Sequence, residues 1–222
     1  MEYCKRIWPQ IFPSPAALAA ATLPPQVGRV VIITGSTAGI GLALTRIYYD
    51  AGATSYIAAR NESKAHAAIH AITTTSTSKP PETIKFLAID LSDLRTVKAF
   101  VTAFLSQESR LGLLHNKPAL LACHYILVRT AAASDTAPHS VQVIWSSSLL
   151  VDTSAPSEGV PPNELENPSN DAIRNYTISE VGKWFLADRF AEHFHARDRP
   201  ASEKRVVSIT ANLGDCLHGY LW

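Results

Sequence analysis

The feature that most constrains this fold is a glycine-rich turn between a β-branched run and an apolar helix. The run Val30–Thr34 predicts a buried strand, the letters GSTAGIG follow it, and residues 42–51 carry apolar side chains at helical spacing. Gly35 lets the chain turn off the strand, Gly39 lets backbone approach a pyrophosphate, and Gly41 lets the helix pack on the sheet. Glycines alone would indicate only a structural turn. The strand before them and the helix after them predict a dinucleotide-phosphate site.

Strands alternate with helices along the rest of the chain. Further strands are predicted at 55–59, 84–89, 111–115, 141–145 and 206–209, and further helices at 64–72, 94–106, 120–133 and 176–196. This order predicts an α/β fold, a Rossmann-type doubly wound parallel sheet with helices on both faces. We assign residues 1–26 to an N-terminal arm and residues 27–222 to a single dinucleotide-binding domain.

Composition excludes several other classes of function. The formal net charge of +1 gives no electrostatic footprint for nucleic acid or for an anionic membrane. The longest apolar run, 119–128, is about half a membrane span. The three cysteines lack metal-ligand spacing, and the pair His66 and His70 has no third ligand nearby in sequence. We expect a cytoplasmic protein with reduced thiols, no membrane span, no nucleic-acid partner and no bound metal.

Polar residues follow several of the predicted strands, at the edge where such sheets bind ligands. Arg60 follows the second strand, where a residue would meet the adenosine ribose of a dinucleotide. An acidic residue there would bind the ribose 2′-hydroxyl, whereas an arginine accommodates a 2′-phosphate, which favours NADP(H). The alternative for Arg60 is a solvated side chain at a helix start, and for Asp90 a turn residue that caps a helix.

The motif TGxxxGIG resembles that of the short-chain dehydrogenase/reductase family. Residues 28–31 (GRVV) resemble the family's entry into its first strand, and Asp90 resembles its adenine-contacting acidic residue. Ser148, after a hydrophobic strand, is similar to its catalytic serine, and Tyr176, 28 residues later, to its catalytic tyrosine. The spacing and the N-terminal arm are most similar to the retinol-dehydrogenase-like branch.

The resemblance implies an NADP(H)-dependent oxidoreductase that interconverts a carbonyl and an alcohol on a small hydrophobic metabolite, for example in secondary metabolism. Ser148 would orient the oxygen and Tyr176 would exchange its proton. The family's long helix builds a dimer interface, which implies a homodimer. The residues implied to hold NADP(H) are Gly35, Ser36, Gly39, Ile40, Gly41, Arg60, Asp90 and Asn116.

The sequence departs from the family at one catalytic position. Four residues after Tyr176, where the family has a lysine, stands Glu180. A unit charge about 5 Å away contributes roughly 3 kcal/mol at an effective dielectric near 20, so reversing its sign changes the interaction by about 6 kcal/mol. Tyr176 would then be a poor base near neutrality. Lys183, one turn further on, is a weak replacement. The alternative is a catalytically degenerate protein with a nucleotide-binding or scaffold role.

Two segments of the family are also expected to be absent. Residues 113–116 resemble the start of its N-N-A-G segment, but 117–119 (KPA) follow, and the first half of the middle helix is skipped. The sequence given stops at Trp222, shortly after 213–215, without the C-terminal substrate segment. The losses would expose apolar sheet surface. We therefore expect a partner that covers it, an unstable product, or a misread or truncated gene.

Overall fold

A computed structural model describes Trp8, Phe12 and residues 20–76, 83–115, 120–195 and 206–212. The strands are β1 (Val30–Thr34), β2 (Thr54–Ala59), β3 (Ile84–Ala88), β4 (Leu113–His115), β5 (Val141–Ser147) and β6 (Val206–Asn212). The helices are α1 (Gly39–Asp50), α2 (Glu62–Thr75), α3 (Arg95–Leu105), α4 (Leu120–Ala132), α5 (Leu150–Ser154), α6 (Pro162–Glu166) and α7 (Ala172–His195).

The six strands form one parallel sheet in the order β3-β2-β1-β4-β5-β6. Thr34 pairs with Ala58, and Ile33 pairs with His115, so the carboxyl ends of β1, β2 and β4 reach the same edge. The predicted α/β Rossmann-type fold is confirmed. β1 lies between two other strands, which explains why it is buried along its whole length and apolar from Val30 to Ile33.

Helices cover both faces of this sheet. One cluster packs α1 and α2 against β2 and β3 and consists of Tyr49, Ile57, Ala65, Ala68, Ile72 and Ile84. A second cluster packs the start of β2 and the α1 residues Leu44 and Tyr48 against β1 and β4, with Val31, Ile33, Ala53 and Leu113 fully buried. On β2 the neighbouring side chain Tyr56 instead contacts Phe104 of α3, with ring centroids 5.3 Å apart. Successive side chains of a strand point to opposite faces of the sheet, so neighbouring residues of β2 pack against helices on opposite faces.

Local hydrogen bonds move several helix ends away from their predicted positions. α2 begins at Glu62 rather than 64 because Asn61 Oδ1 accepts from Lys64 N (2.8 Å) and caps the helix. Ser92 does not cap α3: its hydroxyl donates to Asp90 (2.6 Å), and the helix begins at Arg95 rather than at the predicted position 94. Ser, Asn and Asp side chains can each bond to several nearby backbone or side-chain groups, and the sequence alone does not show which bond forms.

Helix α7 starts earlier than predicted. Asp171 Oδ1 accepts from Ile173 N (2.9 Å) and Arg174 N (3.1 Å), so the helix begins at Ala172. Tyr176 therefore lies in the second turn instead of opening the helix. The segment between β5 and α7, where no helix was predicted, contains the two short helices α5 and α6.

The chain divides into two compact units. The sheet unit comprises 18–144 and 194–207, and therefore contains β1–β4 and α1–α4. The α7 unit comprises 1–17, 145–193 and 208–222, and contains most of α7. The assignment of 27–222 to a single domain stays a prediction.

Cys123 of α4 makes the stability of the sheet unit sensitive to alkaline pH. Its side chain is 1% exposed, and burial raises the pKa of the thiol from 9.0 to about 12. The thiol stays neutral in the folded chain while the unfolded chain ionises, so stability is complete below about pH 9 and falls as the pH rises toward 12. The expected slope is about 1.4 kcal/mol per pH unit. Urea unfolding of wild type and Cys123→Ala between pH 8 and 11 measures this slope as a progressive loss of wild-type stability relative to the variant, and parallel curves would contradict it.

Candidate functional site

The glycine turn lies entirely in the sheet unit and is tightly closed. Gly35 and Gly39 have φ of +66° and +55°, in the left-handed region that favours glycine. A Cβ on Gly41 would lie 2.5 Å from the Gly35 carbonyl oxygen, so only glycine allows α1 to start this close to the end of β1. Ser36 is buried and donates its hydroxyl to the Ile33 carbonyl (2.7 Å), which fixes the turn.

The start of α1 fits a dinucleotide phosphate. The first N–H groups of a helix have no intrahelical acceptor and lie at the positive end of its dipole. A Cβ on Gly39 would meet open space, so the backbone is accessible there, and Ile40 is 39% exposed. Because its hydroxyl already donates to the Ile33 carbonyl, Ser36 can donate to a ligand only through its backbone N–H. These observations agree with the predicted roles of Gly35, Gly39, Ile40 and Gly41, which remain predictions.

Arg60 and Asp90 lie next to each other at the same edge of the sheet. β2 and β3 pair in register up to Ala59 and Ala88, and the two charged side chains follow. Arg60 is 76% exposed, and its Nη1 lies 4.0 Å from Asp90 Oδ2. The Ser92 hydroxyl and backbone N–H donate to Asp90 Oδ1 (2.6 and 3.0 Å), and these hydrogen bonds hold the pKa of Asp90 below its usual value. Arg60 can therefore reach a ligand, while Asp90 is a fixed anion.

Sequence reasoning missed His115, at the carboxyl end of β4. Its Nδ1 is buried and has no hydrogen-bond partner among the described residues. Burial lowers the pKa of His115, so the imidazole is neutral at physiological pH. His115 ends a central strand and pairs with Ile33, close to the glycine turn. This position was the signal that could have found it. The predicted cofactor residue Asn116 lies outside the described residues.

The α7 unit holds the predicted catalytic serine beside a cavity of about 450 Å³. Ser148 follows β5, and its Oγ accepts from Leu150 N at 3.2 Å. The described residues that line the cavity are Ser147, Ser148, Val151, Asp152, Ala155, Pro156, Ser157, Gly159, Val181, Trp184, Phe185 and Thr210. Trp184 and Phe185 form an edge-on pair, with centroids 5.4 Å apart, and each is more than 40% exposed. The cavity therefore combines a hydroxyl-bearing wall with an aromatic one.

Tyr176 belongs to the same unit but is not among the described residues that line this cavity. It is 49% exposed, while Thr177, Ile178 and Val181 are buried. These residues fix the rotation of α7, which turns Tyr176 toward the exposed side. The structure thus places Ser148 on the cavity and leaves Tyr176 accessible, without bringing the two predicted catalytic residues onto one cavity wall.

Glu180 is not an isolated charge. Its side chain is 3% exposed, and the Lys183 Nζ, 20% exposed, donates to Glu180 Oε1. A buried carboxylate needs such a partner, because leaving it unpaired in a low dielectric costs several kcal/mol. The pair as a whole carries no net charge, so the negative charge that the sequence places near Tyr176 is largely compensated.

Comparison with known proteins settles the family. The sequence profile described as short chain dehydrogenase matches residues 29–138. Short-chain dehydrogenase/reductase iacJ of Pestalotiopsis fici is 33% identical over 237 residues, which cover 94% of this chain and 71% of that protein. The chain belongs to the short-chain dehydrogenase/reductase family. Retinol dehydrogenase 12 of Homo sapiens is 35% identical over 98 residues, 44% of this chain and 30% of that protein.

Solved structures of the short-chain dehydrogenase/reductase family share the fold. The Pseudomonas aeruginosa RhlG/NADP active-site complex superposes with a TM-score of 0.56 at 16% identity, covering 83% of this chain and 70% of that one. L-Sorbose reductase from Gluconobacter frateurii, complexed with NADPH and L-sorbose, gives 0.51 at 18% identity and covers 75% and 65%. Within the described ranges, no helix is long and apolar enough to cross a membrane.

Proposed function

We propose that this short-chain dehydrogenase/reductase is an NADP(H)-dependent oxidoreductase that interconverts a carbonyl and an alcohol. The observation that carries the proposal is the accessible start of α1 behind Gly35, Gly39 and Gly41, with Arg60 exposed at the end of the neighbouring strand β2. The first feature fits a pyrophosphate and the second a 2′-phosphate. Similar structures include complexes with NADP and NADPH, which supports this choice of cofactor.

The two units have separate tasks in this proposal. In the sheet unit Gly35, Ser36, Gly39, Ile40, Gly41, Arg60, Asp90 and Asn116 hold the dinucleotide. The chemistry supplied by NADP(H), when bound, is hydride exchange with the carbonyl carbon. In the α7 unit the Ser148 hydroxyl orients the substrate oxygen, and the accessible Tyr176 hydroxyl exchanges its proton. The Glu180–Lys183 pair supports this role, because Lys183 compensates the carboxylate that stands four residues after Tyr176.

The cavity beside Ser148 supports a small hydrophobic substrate. Binding sites for such molecules combine apolar walls with a few polar groups, and 450 Å³ lies in their usual range. Trp184 and Phe185 provide the apolar surface, and Ser148 the polar group. We extend the proposal to a homodimer in the cytoplasm that serves secondary metabolism.

Titration of the purified chain with NADPH tests the cofactor half of the proposal. Nicotinamide fluorescence and thermal melting are followed together. Saturable binding and a rising Tm are expected, with about 2.7 kcal/mol of added stability at a ligand concentration 100 times Kd. A cooperative melt that NADPH does not move would contradict the proposal. A panel of carbonyl compounds tests the catalytic half of the proposal. If the wild-type chain reduces none of them while Glu180→Lys does, the catalytic half is contradicted and a catalytically degenerate protein is supported.

Arg60→Ala is expected to weaken NADPH binding selectively. A charge-assisted hydrogen bond contributes about 1.5–3 kcal/mol, so Kd for NADPH should rise about 10- to 150-fold, while Kd for NADH, which lacks the 2′-phosphate, should change less than threefold. Arg95→Ala is the matched control, since Arg95 is 91% exposed and pairs with Asp93 instead. An equal loss of both nucleotides, or no loss, would show that Arg60 does not recognise the phosphate.

A further inference from the structure

A second cavity, of about 560 Å³, lies at the amino edge of the sheet, the edge away from the glycine turn. Val30 begins β1, Gly112 precedes β4 and Val141 begins β5, and all three contribute to its wall. The cavity belongs wholly to the sheet unit. Its charged lining residues are Arg29, Arg110 and Asp135.

Arg29 is a partly buried cation that has no counter-ion among the described residues. Its Nη1 donates to Gln26 Oε1 (2.8 Å), and its Nη2 donates to the Ser140 carbonyl (2.8 Å) and to Gln142 Oε1 (3.3 Å), all neutral acceptors. No carboxylate in the described part of the chain pairs with it. Burial lowers the pKa of the guanidinium, which reflects the cost of keeping the charge there. A cation in such surroundings is normally paired.

Two of the five guanidinium N–H groups of Arg29 remain after these three hydrogen bonds. One is Nε, which is buried without an acceptor and lies against Gly112, where an added Cβ would be 3.3 Å away. The other is the second Nη1 hydrogen. Arg29 therefore lines the cavity with a charge that no described carboxylate compensates and with one Nη1 hydrogen that has no acceptor among the described residues.

The neighbouring groups do not supply a negative charge for Arg29. Arg110 makes two hydrogen bonds of 2.7 Å to Asp135, so these two charges cancel. The hydroxyls of Thr136 and Ser140 donate to backbone carbonyls at 2.7 Å and are used. Among the described residues of the cavity wall, the formal charge is thus that of Arg29 alone.

We propose that this cavity binds an oxyanion, the carboxylate or phosphate group of a small metabolite, and that Arg29 provides its counter-charge. The site is independent of the oxidoreductase function. It lies at the opposite edge of the sheet from the proposed dinucleotide site, so both can be occupied at once. An anion there joins the segment 25–30 to the loop at 135–141 and stabilises the sheet unit.

Thermal melting of the full chain in potassium phosphate and in potassium malonate, each against potassium chloride of equal ionic strength, tests this proposal. A saturable rise in Tm beyond that in chloride is expected for at least one of the two, and their relative midpoints distinguish a phosphate from a carboxylate ligand. A Tm that follows ionic strength alone would overturn the proposal.

Gln26→Glu is the decisive variant, because it places a carboxylate at the oxygen that accepts from Arg29 Nη1 without changing side-chain shape. The apparent Kd for the anion should rise at least tenfold, and Tm in chloride should increase. Gln142→Glu repeats the test from the other acceptor, in case the first variant folds poorly. Arg60→Ala should keep the response. A response that is unchanged in both glutamate variants, or one lost in Arg60→Ala, would place the anion elsewhere and refute the proposal.

Discussion

Tyr176→Phe is expected to lower kcat by a factor of about 10² to 10⁴ and to leave NADPH affinity within twofold of wild type. General acid–base catalysis by a positioned side chain contributes a factor of this size. Tyr176 is 49% exposed, so little stability should be lost with its hydroxyl. The measurement is steady-state oxidation of NADPH with the best substrate of a carbonyl panel, together with Tm.

Tyr125→Phe is the matched control for this variant, since Tyr125 is a still more exposed tyrosine on a helix of the other unit, at 65%. It should leave kcat unchanged. Equal turnover in wild type and Tyr176→Phe would remove Tyr176 from the mechanism. A fall in kcat with an unchanged KM for NADPH would show that the hydroxyl acts in the chemical step rather than in cofactor binding.

The sequence was sufficient for the sheet and for the tight glycine turn, because both depend on backbone rules. The apolar run of β1 requires a central strand, and the glycines of the turn require left-handed φ or close approach, as found at Gly35 and Gly41. Helix ends were less predictable, since Asn61 caps its helix while Ser92 bonds to an aspartate instead.

Three features of the structure could not be predicted from the sequence, because all three depend on tertiary packing. The spacing of Glu180 and Lys183 permits an ion pair, but its burial depends on which face of α7 packs inward. That same rotation leaves Tyr176 exposed. Arg29 bonds to a loop more than 100 residues later in the chain, which no local pattern encodes.

Gly41→Ala is expected to have the largest effect on the cofactor site. Its Cβ would lie 2.5 Å from Gly35 O and 2.9 Å from Gly35 C, both backbone atoms that a rotamer change cannot move. The start of α1 must shift away from β1, which displaces the N–H groups that we assign to the pyrophosphate. Kd for NADPH should rise at least about 100-fold, as several charge-assisted hydrogen bonds weaken together. Overpacking costs about 1–3 kcal/mol, and Tm should fall by roughly 2–4 °C per kcal/mol.

Gly182→Ala separates this effect from the general consequence of replacing a glycine in a helix. An added Cβ at Gly182 meets nothing within 4 Å, and alanine in a helix interior is favoured by about 0.5–1 kcal/mol, so Tm should rise slightly and Kd should not change. Both Kd and Tm are measured in the same titration. A Gly41→Ala protein that melts lower but binds NADPH normally would show that the close contact stabilises the fold only, and the phosphate would then bind elsewhere than at α1.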